Sequence, residues 1–269
     1  GLIQLVLPEG LEVVDNCAFY NCNSLETIHI SSTVQRLGNC SFESCKNLKG
    51  VYIKDLEAWC KMEMEYSSPL KTAHHLYLNN VELTEVDFPK SCTVVKDFAF
   101  EGCSYIKTIK LHAGITSISS FAFDGCFALD SIVIPNSVTY IGSSALGDCS
   151  SMKKIEFLAT TPPKIISGAQ AFSGNDAEFV VPCGSKDDYI AAINIENKQA
   201  FWIDSLRFVE KLPSMYTYSI TTSNEYQGSV AYLQRPTYCD DLTLSFLADP
   251  SEGYIFKQWS DGNTDNPRT

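Results

Sequence analysis

The stretch Ala122-Phe123-Asp124-Gly125-Cys126-Phe127-Ala128-Leu129-Asp130-Ser131-Ile132-Val133-Ile134-Pro135-Asn136-Ser137-Val138-Thr139-Tyr140-Ile141 is one unit of a repeat. Its Ala122, Phe123, Cys126, Leu129 and Ile132 recur upstream as Ala99, Phe100, Cys103, Ile106 and Ile109, and downstream as Ala145, Leu146, Cys149, Met152 and Ile155, at a constant offset of 23. The same frame stands near the N-terminus as Ala18, Phe19, Cys22, Leu25, Ile28 and then Ser41, Phe42, Cys45, Leu48, Val51. A fixed period of this size marks a solenoid. Within the unit, Leu129, Ile132 and Ile134 alternate with other residues before Pro135, which predicts a short strand with one buried face. Ala122 to Cys126 is too compact for a strand and predicts a helical or 3-10 turn on the opposite side of the coil. A single unit cannot bury enough apolar surface to offset the entropy of ordering it, so the units stack and join their strands in a parallel sheet, about 4.8 Å apart.

The recurring pattern Ala-Phe-x-x-Cys-x-x-Leu-x-x-Ile-x-Ile-Pro-x-x-Val-x-x-Ile, fullest in Ala122 to Ile141, resembles the BspA-like branch of the leucine-rich repeats, found in bacterial surface proteins. The resemblance covers about residues 1–212 and implies an α/β leucine-rich-repeat solenoid closed by a C-terminal cap. Residues 213–269 leave the frame and predict a small β-rich module, with short strands at Tyr216–Ser219, Gly228–Leu233, Leu242–Ala248 and Tyr254–Trp259. The run from Gly253 to Thr269 resembles the end of an internalin B-repeat-like module, without its final strand. Leu2, Leu5, Leu7 and Pro8 already occupy the repeat frame, so the expectation is a domain of a longer protein with any export signal upstream.

The period breaks once, where the interval from Leu48 to Leu83 exceeds the repeat by an insertion of half a unit. In this insertion Leu56, Trp59 and Cys60 follow Asp55 at helical spacing, predicting a short capped helix. Leu76 to Leu83, with Asn79-Asn80 at its centre, predicts a tight hairpin. Further on, Glu178 to Pro182 reads as a last strand, and Ser185 with Asp188 as a capping box opening a helix through Ala192.

Composition excludes several functions. A net charge of −12 disfavours a phosphate-binding surface, and no apolar run reaches the length of a membrane span. Cys17-x4-Cys22 with Cys40-x4-Cys45 has the count of a four-thiolate zinc site. Later repeats keep the second cysteine column but place Phe98, Phe121 and Ser144 in the first, so the thiols read as small buried hydrophobes. His74-His75 lacks a third ligand at metal-binding spacing. Asp261, Asn263 and Asp265 alternate as in a calcium loop, yet Asn266 stands where that loop needs glycine. No nucleophile-elbow, zinc-helix or phosphate-loop motif occurs, so neither catalysis nor a cofactor is expected.

The resemblance implies a non-catalytic, adhesin-like module of a bacterial cell-surface or secreted protein, engaging host or neighbouring-cell proteins. A stalk that spaces another domain from the surface and a glycan-binding scaffold are the alternatives. Strand alternation turns Thr27 and His29, Gly50 and Tyr52, Glu85 and Asp87, Thr108 and Lys110, Ser131 and Val133, and Lys154 and Glu156 outward. Stacked in register they would form two columns on the sheet. His29, Tyr52, Asp87 and Lys110 are the candidate binding residues, an aromatic anchor beside a pair of opposite charges.

Overall fold

The computed structural model describes residues 1–66, 68–194, 204–211, 228–234 and 245–250. Strands β1 (Gln4–Val6), β2 (Thr27–Ile30) and β3 (Gly50–Ile53) run parallel, Gln4 beside Thr27 and Thr27 beside Gly50. The period of the sequence is therefore the register of the sheet. β4 (Leu76–Leu78) pairs parallel with β3 and turns back as β5 (Val81–Glu82). Asn79 and Asn80, at φ of 52° and 67°, make the turn; two left-handed residues are what a two-residue type I′ hairpin requires. A second parallel sheet then begins with β6 (Glu85–Asp87). It continues through β7 (Thr108–Lys110), β8 (Ser131–Ile134), β9 (Lys154–Phe157), β10 (Glu178–Pro182) and β11 (Phe208–Lys211).

The single continuous ladder expected from the period is thus two. Two-residue bridges on another side of the coil break at the same place, with Val13–Val14, Arg36–Leu37 and Glu63–Met64 in one set and Val94–Val95, Ser117–Ile118, Tyr140–Ile141 and Lys164–Ile165 in the next. The insertion causes the break. Helix α1 (Leu56–Lys61) is capped as expected by Asp55, whose carboxylate accepts from the Glu57 and Ala58 N–H groups at 2.8 and 3.2 Å. A second short helix, α2 (Leu70–Ala73), then leads into the hairpin.

The compact side of each unit is a pair of turns rather than a helix. Cys17, Cys40, Phe98, Phe121, Ser144 and Ser167 open it at φ between 49° and 60°. Asn21, Ser44, Gly102, Gly125 and Asp148 close most of them, again left-handed. Such residues interrupt a right-handed helix, and the N–H groups of Phe100 and Phe123 donate sideways to Ala122 and Ala145 of the next unit, at 2.9 Å each. Gly102 is also required by space, since a Cβ there would lie 2.6 Å from the Lys71 Cα. Only Gly168–Phe172 forms a 3-10 helix in this region.

Leu25, Leu48, Ile106, Leu129 and Met152 are buried in one column, and Ile28, Val51, Ile109, Ile132 and Ile155 in the next. Phe100 stacks on Phe123 with ring centroids 5.8 Å apart. The cysteine column has a second use beyond bulk: the thiols of Cys45, Cys126 and Cys149 donate to the carbonyls of Phe19, Phe100 and Phe123 in the preceding unit. Burial pushes the Cys103 and Cys149 thiols up to about 12, so both stay protonated and Cys149 keeps its donor. Cys45, Cys103, Cys126 and Cys149 are buried, whereas Cys22 is half-buried. Cys183 is disulfide-bonded.

β10 is not the last strand, because β11 stacks on it with Phe208 beside Phe179. Helix α3 (Lys186–Asn194) begins where expected, but the Ser185 hydroxyl donates back to the Pro182 carbonyl and the Glu210 carboxylate accepts from the Lys186 N–H. Beyond the solenoid, β12 (Gly228–Gln234) and β13 (Ser245–Pro250) pair antiparallel. Phe201-Trp202, the strands expected at 216–219 and 254–259, and the acidic run Asp261 to Asp265 lie outside the described residues.

Candidate functional site

His29 and Tyr52 occupy the same outward position on β2 and β3, and their rings stack with centroids 4.6 Å apart and planes 18° from parallel. The stack does not stop there. Tyr77 of β4 lies on the other face of Tyr52 at 4.5 Å, His75 follows Tyr77 at 6.1 Å, and Tyr105 covers His75 at 4.1 Å. Five rings thus run along the sheet at roughly the interstrand spacing of about 4.8 Å. Gly50 makes room for them, since a Cβ there would sit 3.1 Å from both the Tyr52 and Tyr77 rings. That packing buries Gly50, which alternation alone would leave outward.

The polar groups of the column are partly engaged. The Gln4 side chain meets His29 Nε2 at 2.7 Å, and His75 Nδ1 bonds the Glu82 carboxylate. Burial and the nearby Lys54 ammonium lower the His29 pKa, which favours the neutral ring. Burial, helped by the Glu82 charge, raises the Tyr77 pKa and keeps its hydroxyl a donor. Tyr105 remains 46% exposed.

Asp87 and Lys110, the other two expected residues, also meet, at 3.7 Å. They belong to the second sheet, and both are largely exposed, so this pair contributes little by itself. The four residues therefore form two separate pairs. Glu156, expected outward, is 8% exposed and held by Lys154 at 3.0 Å. Alternation within the frame misses Tyr77, His75 and Tyr105. Tyr77 lies in register beside Tyr52 although the period points to His75, and Tyr105 precedes its strand.

A second cluster lies on the turn side. Glu101 is buried, its carboxylate accepting from the Ser68 N–H at 3.0 Å and pairing with Lys71 at 3.0 Å. Asp124, one unit further, is raised to about 6 by burial, then by the Asp148 and Glu101 charges, against a weaker pull from Lys71. A carboxyl whose folded pKa lies above its unfolded value opposes folding once it ionises. The penalty is absent below pH 3.8 and complete above about 6. Asp124→Asn is expected to stabilise the protein at neutral pH by about 1 kcal/mol, the full shift being reduced by solvent screening. In denaturant titrations that gain should vanish near pH ~3.5; an equal gain at both pH values would refute the assignment.

Among the described residues, no group of three or more His, Cys, Asp and Glu is placed to hold a metal ion. No described helix is long and apolar enough to cross a membrane.

A solenoid of stacked strands and paired turns with this column structure defines a leucine-rich-repeat protein. The BspA-type leucine-rich repeat region matches residues 1–74 and 71–184, in six copies, and the chain belongs to that family. No curated protein matches it. Among solved structures, a leucine-rich cell surface protein from Faecalibacterium prausnitzii is 23% identical, with 61% of this chain and 49% of that chain covered at a TM-score of 0.41. The leucine-rich repeat protein of T. pallidum is 21% identical over 69% of this chain and 80% of its own, with a TM-score of 0.30. One from Eubacterium ventriosum is 19% identical over 66% and 65%, at 0.37. The chain spans about half the length of the first of these.

Proposed function

We propose that the chain is a non-catalytic, adhesin-like binding module displayed outside a bacterial cell, which engages a protein of the host or of a neighbouring cell through the stack from His29 to Tyr105. The observation that carries this is the stack itself. Five half-buried or exposed rings, stacked on one another, present edges and hydroxyls on one face of the sheet. Tyrosines at interfaces supply large contact area, and rings already ordered lose little further entropy on binding. A plain stalk has no use for such a patch. The disulfide at Cys183 fits an oxidising compartment, in keeping with surface display. In this reading residues 1–212 form the solenoid and its cap, and residues 213–269 a separate module, internalin B-repeat-like, in a longer protein.

The test is a binding screen against immobilised host matrix proteins and bacterial surface proteins, followed by Tyr77→Ala with Tyr105→Ala. The double variant is expected to weaken binding at least about tenfold, as hot-spot truncations do, while a cooperative melting transition is retained. Unchanged affinity would move the contact away from the stack.

A further inference from the structure

Beside the stack lies a cavity of about 180 Å³, lined by Glu9, His29, Tyr52, Lys54, Asn79 and Asn80 among others. We propose that this cavity is a binding site for one acidic sugar residue, a monosaccharide ring bearing a carboxylate. Both asparagines of the hairpin tip line it, on consecutive left-handed residues. Each amide offers two donors and an acceptor, a set suited to the hydroxyls of a polyol. Lys54 is exposed and has no ion pair among the described residues, yet it is near enough to depress the His29 pKa. It supplies the cation for a carboxylate, with His29 neutral beside it.

The open groove along α1, lined by Arg36, Asp55, Glu57, Lys61 and Glu63 among others, differs in this respect. There Arg36 pairs with Asp15 and Glu65, Lys61 with Glu57, and Glu63 with Lys96, so neither lining cation is left free for an anionic ligand. In the smaller cavity Glu9 receives, among the described residues, a single long contact from the Ser32 hydroxyl, at 3.5 Å, and can accept from a pair of sugar hydroxyls.

Size and ring geometry narrow the ligand further. A site smaller than those that hold drug-sized molecules, about 300 Å³ and up, has room for a single ring. Both faces of Tyr52 are covered, by His29 and by Tyr77, so a sugar meets ring edges, and recognition rests on hydrogen bonds and charge. A carboxylate on a peptide side chain would satisfy Lys54 but leave the Asn79 and Asn80 amides unmatched.

The site stands whether or not a protein partner binds the stack. The experiment is a nitrogen-15 NMR titration of the full chain with glucuronic acid and N-acetylneuraminic acid, and with glucose and acetate as controls. At least one acidic sugar is expected to shift the backbone amides of Lys54, Asn79 and Asn80 saturably. Glucose and acetate should each bind at least about tenfold more weakly. Lys54→Ala should lower the acidic-sugar affinity about tenfold to a hundredfold, the effect of removing one charge-assisted hydrogen bond, with the melting temperature unchanged. Absence of shifts with both acidic sugars, glucose or acetate binding as tightly, or full affinity in Lys54→Ala would each overturn the proposal.

Discussion

A chain carrying Leu129→Asp is expected to lose its cooperative thermal transition. Leu129 has no exposed surface and lies in the column it shares with Ile106 and Met152, one unit to either side. The substitution withdraws about 2 kcal/mol of apolar burial. It also places a carboxylate where neither water nor a cation reaches it, which costs several kcal/mol more, whether the group stays charged or takes up a proton. Against a total stability of about 5–15 kcal/mol, the sum is enough to unfold the unit and expose the faces of both neighbours. Leu129→Ala separates the two causes: it leaves a cavity without a charge and should cost about 2–5 kcal/mol while retaining a sharp transition. Circular dichroism melts of the two variants and the parent decide the matter, and a Leu129→Asp melt like that of the parent would place this column outside the core.

The columns are legible because each solenoid unit faces its copies. Thr108 pairs with Ser131 and Ser131 with Lys154, so recurrence by one period in the sequence is adjacency in space. Burial then selects the same residue class at each level. The turns are less legible. Ala-Phe-x-x-Cys has the apolar spacing of a helical turn, and only the left-handed residues at its two ends rule one out. Phe98, Phe121 and Ser144 carry no sign of that conformation in their chemistry. Gly102 and Gly125 do, but sit at one end only.

The candidate site is half legible for a related reason. His29 and Tyr52 lie in frame and are found by alternation, and they do stack. Tyr77 is hidden because the insertion shifts the strand register off the period, so the frame points from Tyr52 to His75 instead. Both rings join the stack: Tyr77 as the strand neighbour, His75 from the residue before the strand, held by Glu82 across the hairpin. Asp87 and Lys110 fall on the far side of a break in strand pairing; the insertion marks the place in the sequence, but the frame that resumes at Leu83 carries no sign that pairing stops there.

That break gives Trp59→Ala its expected effect. Among the described residues neither the strand ladder nor the bridge ladder crosses from the first set of units to the second, so the junction falls to the insertion. Trp59 is 1% exposed and its indole N–H donates to the Ala99 carbonyl at 2.9 Å. Nearby, Glu101 holds the Ser68 N–H and Lys71, and the Ser104 N–H donates to the His74 carbonyl at 3.1 Å. Trp59 contributes the largest apolar side chain of this junction. Its truncation should cost about 3–5 kcal/mol, plus the penalty of an unpaired Ala99 carbonyl, about 1–3 kcal/mol. Because repeat arrays unfold together only as far as their interfaces hold neighbouring units, the loss should fall on coupling as well as stability. The parent is expected to unfold in one transition and Trp59→Ala in two, with hydrogen exchange giving different opening energies for β1–β3 and β7–β9. Trp59→Phe keeps most of the bulk and gives up the indole hydrogen bond, so it should retain the single transition at a cost of about 1–3 kcal/mol. If Trp59→Ala still unfolds in one step with a loss under about 1 kcal/mol, the two stacks are coupled through the Glu101 network instead.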